Sequence, residues 1–242
     1  MNNLLFISFD VAIKSLATSI LYIYKDNSIN ENMEGTSSPR TPQMSHIQPS
    51  DNDTKYSINI LYLDVVDLLK EKTTRNISYD DELLINIRLK TYLDKCELFI
   101  QNFIDNIDTS DTTNDFIFYC LIENQMKQNI KSHVIQKLIS YHFTNNKFNY
   151  IIKFITPSLK NKICFNDNMK HIVFLNKYMN NYTANKNHTK TNFLYYLKQN
   201  NLLELLNNIK KKNYDDISDS FIQAIAYIYL NLKLSFNNIN IY

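Results

Sequence analysis

Four acidic side chains from three separated places in a 242-residue chain could do chemistry together. Asp10 closes the apolar run Leu4-Leu5-Phe6-Ile7-Ser8-Phe9, and Glu123 closes Phe116-Ile117-Phe118-Tyr119-Cys120-Leu121-Ile122. Asp216 and Asp219 open the apolar stretch from Ile217 to Leu234. A carboxylate at the tip of a buried strand is costly unless its charge is compensated, and a divalent cation is the usual compensation. Asp216 and Asp219 stand three apart, so they share a helix face, in a first turn where negative charge suits the helix dipole. Asp215 points elsewhere on that helix, as a cap, a solvated residue or a substitute ligand. Two-metal phosphoryl transfer needs several carboxylates converging on ions about 4 Å apart, so the set points to metal-dependent phosphodiester hydrolysis. Any one of these acids alone could equally start a turn or balance a helix end; the conjunction favours the metal site.

The elements that must position them are those of an α/β domain. Residues 4–9 and 16–24 read as strands joined by a short turn, and 58–63 as a third. Residues 26–56, with Gly35, Pro39, Pro42 and Pro49 among Ser, Thr, Asn and Asp, read as a disordered insertion in a hairpin loop. Apolar residues near helical spacing predict a long amphipathic helix over 80–106, capped near Asp80 or Ser78, and then a polar loop from Asp105 to Asp115. The strand 116–123 is almost wholly apolar, which predicts a central, parallel position. A helix over 132–143, a strand from Tyr150 to Ile155, and helices over 189–200 and 216–234 follow. Three antiparallel strands and then alternating helix and strand make a mixed sheet flanked by helices. The whole of 1–242 reads as one domain interrupted at 26–56.

Bulk properties narrow the classes. No window approaches 18 uninterrupted apolar residues, so no membrane span is expected, and the opening strand leaves no room for a leader peptide. A single glycine excludes the Gly-rich phosphate loops, and with them nucleotide cofactors bound by those routes. Cys96, Cys120 and Cys164 have no CxxC spacing and read as buried free thiols, and the five His residues show no zinc spacing. The net charge of +2 hides an asymmetry: thirteen acids face six bases from Asp64 to Glu123, whereas Asn124 to Lys190 holds eleven Lys and one acid, Asp167. Such a basic block interleaved with Tyr, Phe and Asn suits a phosphate-backbone reader. A solvated lysine-rich surface is the alternative.

Three segments carry a family resemblance: Ser8-Phe9-Asp10-Val11-Ala12-Ile13-Lys14-Ser15-Leu16-Ala17, Leu121-Ile122-Glu123-Asn124-Gln125, and Lys211-Lys212-Asn213-Tyr214-Asp215-Asp216-Ile217-Ser218-Asp219-Ser220. In order and spacing they resemble the signature segments of RuvC-type Holliday junction resolvases, in the branch found in poxviruses and other large DNA viruses. Phe154-Ile155-Thr156-Pro157-Ser158-Leu159-Lys160 resembles the strand and loop after the family's central helix. The resemblance implies an RNase H-like fold, a homodimer, Mg²⁺ (with Mn²⁺ able to substitute), and symmetric nicking of four-way DNA junctions. It implies Asp10, Glu123, Asp216 and Asp219 as catalytic metal ligands, and Lys14, Lys127, Lys131, Lys211 and Lys212 as contacts to DNA. It also implies an intracellular setting, in a viral factory in the cytoplasm or in a virion rather than a mitochondrion. Ala12 stands where the family usually has Gly, Ser15 where it usually has Asn, and Asn213-Tyr214 separate the lysine pair from the acids. Another RNase H-like nuclease, acting on RNA–DNA hybrids or flaps, and a junction-binding protein of weak activity are the alternatives. Tyr178, Tyr182, Tyr195 and Tyr196 could stack on opened bases or pack in the core.

Overall fold

Side chains of the first strand, β1 (Asn3–Asp10), alternate between two hydrophobic cores, which is why its sequence is apolar at nearly every position. Leu4 and Phe6 enter one core, and Leu5, Ile7 and Phe9 enter the other. The computed structural model describes residues 3–25, 55–70, 78–107, 116–126, 128–165, 181–236 and 240–241. The insertion between 26 and 54, Lys127 and Tyr178 lie outside them, as does the ring of Tyr182.

Strand β1 pairs antiparallel with β2 (Leu16–Lys25), which pairs antiparallel with β3 (Lys55–Val66). On its other side β1 pairs parallel with β4 (Phe116–Glu123), and β4 pairs parallel with β5 (Ile151–Ile155). The order β5-β4-β1-β2-β3 gives the mixed sheet expected of an RNase H-like fold, and β4 is central and parallel as its composition predicts. Lys55 and Tyr56 belong to β3, because β2 still pairs with Tyr56 at Lys25↔Tyr56 and β7 pairs with Lys55 at Lys55↔Ser235. The interruption is therefore shorter than the sequence suggests.

One face of the sheet is covered by α1 (Tyr79–Asn106) and α2 (Ile130–Thr144), through Leu89, Leu93, Ile100, Ile139 and Phe143. Ser78 caps α1 in a reciprocal capping box with Asp81. A short 3₁₀ segment (Pro157–Lys162) follows β5 and leads into β6 (Ile163–Cys164). The opposite face is covered by α3 (Asn181–Gln199) and α4 (Tyr214–Leu232), through Phe193, Leu197, Phe221 and Ile225. Helix α3 begins eight residues before the apolar pattern indicates, because its first two turns are polar. Two-residue strands close the chain: β7 (Ser235–Phe236) joins β3 at the sheet edge, and β8 (Asn240–Ile241) pairs with β6. Among the described residues no helix is long and apolar enough to cross a membrane.

Candidate active site

Pleat alternation decides where the strand carboxylates point. Leu4, Phe6, Ser8 and Asp10 lie on one face of β1, and Leu121 and Glu123 on the same face of β4. The parallel register that sets Phe9 against Ile122 brings Asp10 and Glu123 side by side at the C-terminal edge of the sheet. Helix α4 packs on that face, tied to β1 where Gln223 Nε2 donates to Ser8 Oγ at 3.1 Å. Its first two turns then carry Asp216 and Asp219 to the strand tips. All four carboxylates line one cleft of about 730 Å³. Asp10, Glu123 and Asp219 are buried, whereas Asp216 keeps 19% of its side chain in solvent.

Burial pushes the Asp10 carboxyl well above its ordinary value near 3.8, and the neighbouring Glu123 charge adds to the shift. Side by side, the two groups favour the protonated form of Asp10 and the ionised form of Glu123. Burial alone would raise Glu123 too, but the Asp10 hydrogen bond and the Lys160 charge prevail and hold it below its ordinary range. Asp219 is raised by burial, which Lys160 and Thr189 offset in part.

Lys160 is the residue that sequence reasoning misses. Its ammonium donates to Asp219 Oδ2 at 2.6 Å and to Glu123 Oε1 at 3.1 Å, with only 11% of the side chain exposed. Burial opposes its charge, yet Asp10, Asp219 and Glu123 together raise its pKa above the ordinary lysine value. The advance signals are its place at the end of the resembling segment 154–160, in the loop after β5, and its membership of the basic block, none of which assigns it to the carboxylates. Helix α3 adds three further contacts along one face. Lys186 Nζ pairs with Asp216 Oδ1 at 3.0 Å, Thr189 Oγ1 donates to Asp219 Oδ1 at 2.6 Å, and Lys190 Nζ pairs with Asp215 Oδ1 at 2.8 Å. Gln125 Nε2 donates to Glu123 Oε2 at 3.1 Å. Three lysines of the basic block, Lys160, Lys186 and Lys190, are thus engaged with acids of α4 and the cleft, Lys160 largely buried and the other two half-buried.

Other expected positions separate. Asp215 is held by Lys190 and does not line the carboxylate cleft. Lys14 and Lys212 line a second cleft beside the first, and Lys211 is exposed outside both. Lys131 lies in the first turn of α2, beside Ile13 and Glu82. Ala12 lines the carboxylate cleft without a left-handed backbone, so the missing glycine imposes no strain there. Tyr196 is buried and packs on Phe221, and Tyr195 is half-buried against the same core.

The cleft offers only carboxylate oxygens as charged donors, a set suited to a hard divalent cation such as Mg²⁺. The Lys160 ammonium already supplies positive charge between Glu123 and Asp219, where an ion would be attracted. The donor chemistry thus suits such a cation, while Glu123 and Asp219 are held around the ammonium and the four carboxylates are not drawn together on one point. Among the described residues, one set of three ligand atoms lies within 4.8 Å of one another, and it is elsewhere: Asp94 and Glu97 of α1 with His142 of α2. There Glu97 meets His142 at 2.9 Å and Asp94 meets Lys90 at 2.7 Å, so each acid already has a partner. The cysteines are buried and form no disulfide, as their spacing predicts.

No family model and no curated protein matches the sequence. Among solved structures, the chain is similar to the crystal structure of the fowlpox virus Holliday junction resolvase, with 15% identity and a TM-score of 0.43, over 93% of this chain and 96% of that one. A likeness that remote carries no chemistry with it; the chemistry rests on the side chains themselves.

Proposed function

We propose that this chain is a member of the RuvC-type resolvases, a metal-dependent endonuclease that cuts four-way DNA junctions, and that 1–242 acts as one nuclease domain. The observation that supports this reading is the convergence of Asp10, Glu123, Asp216 and Asp219 from three elements on one cleft at the carboxyl edge of the parallel strands. Asp10, Glu123, Asp216 and Asp219 would hold Mg²⁺, or Mn²⁺ in its place. When bound, the ion would supply charge neutralisation at the phosphate and activation of water.

The remaining roles belong to the protein. Thr189 and Gln125 fix the orientation of Asp219 and Glu123, so these carboxylates are held in place before substrate arrives. Lys160 balances the buried charge and lies within reach of a phosphate oxygen in the same cleft. Water adds to phosphorus, one P–O ester bond breaks, and the leaving oxygen takes up a proton. A four-way junction has two equivalent scissile positions, so a C2 homodimer would present two matching clefts.

Cleavage of a labelled immobile four-way junction in Mg²⁺ and Mn²⁺, beside a linear duplex and an RNA–DNA hybrid, tests the reading. Paired symmetric nicks in the junction, lost in Asp219→Asn while binding survives, are the expected result. Cleavage of the hybrid alone would move the chain to another RNase H-like activity. Absence of both cutting and structure-selective binding would overturn the nuclease reading. Light scattering after gel filtration should give twice the 28.7 kDa chain mass.

A further inference from the structure

A second cleft, of about 810 Å³, adjoins the carboxylate cleft and shares Ser15 and Asp216 with it. Four exposed lysines line it: Lys14 from the β1–β2 turn, Lys70 from the turn after β3, and Lys210 and Lys212 from the segment leading into α4. Three acids line it as well, and each is already engaged. Asp64 accepts from Tyr62 Oη at 2.7 Å, from the Val65 amide at 2.8 Å and from Lys95 at 3.4 Å. Asp67 Oδ1 accepts from the amides of Leu69 and Lys70, at 2.8 and 3.1 Å. Asp216 is paired with Lys186. None of the four lysines has an ion pair among the described residues, in contrast to Lys160, Lys186 and Lys190.

Two of the three acids thus have a lysine partner and Asp67 is held by backbone amides, while the four lysines leave the cleft an excess of positive charge. Lys70 is presented by an unusual turn. Its φ is 46°, a left-handed value that a side chain with a Cβ adopts at some cost, and the Asp67 carboxylate closes that turn. Long cations projecting from three separate segments into one open groove suit a ligand with several spaced negative charges rather than a single small anion.

We infer that this second cleft is the track for a nucleic-acid strand as it leaves the carboxylate site, with Lys14, Lys70, Lys210 and Lys212 on successive backbone phosphates. The inference rests on the nuclease reading and assigns a role to Lys70 and Lys210, neither of which belongs to a signature segment. Contacts of this kind carry no base information, so the track accepts any sequence. They also give affinity a dependence on salt, with a slope of about −0.9 in log K against log salt for each phosphate neutralised on duplex DNA.

The test is the salt dependence of junction binding by the full chain, followed by anisotropy of a labelled four-way junction in EDTA across a KCl series. Lys70→Ala/Lys210→Ala should flatten the slope by about 2, at roughly 0.9 per lysine. Lys70→Arg/Lys210→Arg should restore it. Lys25→Ala/Lys198→Ala, which removes the same charge from exposed positions on β2 and α3, should leave the slope near that of the unaltered protein. Circular dichroism confirms that each variant is folded. An unchanged slope in the Lys70/Lys210 alanine variant, or an equal change in the control pair, would overturn the track while junction binding stands. Failure of the unaltered protein to bind the junction would remove the nuclease reading and the track with it.

Discussion

Lys160 lies at the centre of a buried charge network. With Glu123 and Asp219 at 3.1 and 2.6 Å, it is the cation that lets these acids stay ionised beneath the protein surface. Removing one partner of a buried pair leaves the other uncompensated, which costs about 3–5 kcal/mol. Lys160→Met should lower the urea midpoint of the metal-free protein accordingly, and Mn²⁺ should restore much of the loss. A midpoint that does not move would show that the ammonium is not needed for charge balance. Asp10 has the opposite sign. Its folded pKa is raised above the unfolded value near 3.8, so its contribution to stability is present below that value and is lost as pH rises through the folded pKa. Asp10→Asn should therefore raise the melting temperature of the metal-free protein at neutral pH and leave it unchanged at pH values below about 3.8. The same variant should abolish stabilisation by Mn²⁺, because it removes one carboxylate of the set proposed to hold the ion.

Among the elements, α3 is the least expected contributor. Lys186, Thr189 and Lys190 fall on one face and meet Asp216, Asp219 and Asp215 of α4, so one helix clamps the acidic start of the other. Thr189→Val keeps the shape but leaves Asp219 Oδ1 without its donor, a loss of about 1–3 kcal/mol in denaturant unfolding. Thr189→Ser should recover most of it, and equal stability of the valine variant would sink the clamp. None of this was legible in the residues of α3, whose first turns lack the apolar periodicity that announces a helix. By contrast β1 and β4 were legible almost to the residue, because a strand buried on both faces must be apolar throughout. The acids of the cleft were legible for the same reason: Asp10 and Glu123 are the polar residues that end such strands. Lys160 and Lys186 were not. The direction a lysine takes depends on partners 37 to 59 residues away in the chain for Lys160, and 30 away for Lys186.

At the scale of the whole molecule, the sheet separates two cores that share no helix. Phe143 packs with Phe9 and Tyr150 beneath α2, and Phe193 packs with Phe221 between α3 and α4. Phe143→Leu and Phe193→Leu should each destabilise by roughly 0.5–3 kcal/mol. Because they have no common partner, the double variant should equal their sum within about 0.5 kcal/mol. A larger departure would mean that the sheet transmits strain from one face to the other. Helix α2 reaches the carboxylate cleft through its cap Asn129 and through Gln136, which holds Asn124 and Gln125. Asp216 and Asp219 belong instead to α4, so damage to the α1–α2 core should leave their positions intact.

The buried cysteines make this chain convenient for spectroscopy. Cys96, Cys120 and Cys164 are the only thiols in the sequence, and all three are buried. Burial also pushes the Cys96 thiol up to about 12 and holds Cys120 well above its ordinary value, so neither forms the thiolate that maleimides attack. A fourth cysteine placed at exposed Lys25 would stand at the far end of β2 from the cleft. It would take a single fluorophore on the native protein with no background removal, opening the bending of a bound junction to energy-transfer measurement one molecule at a time.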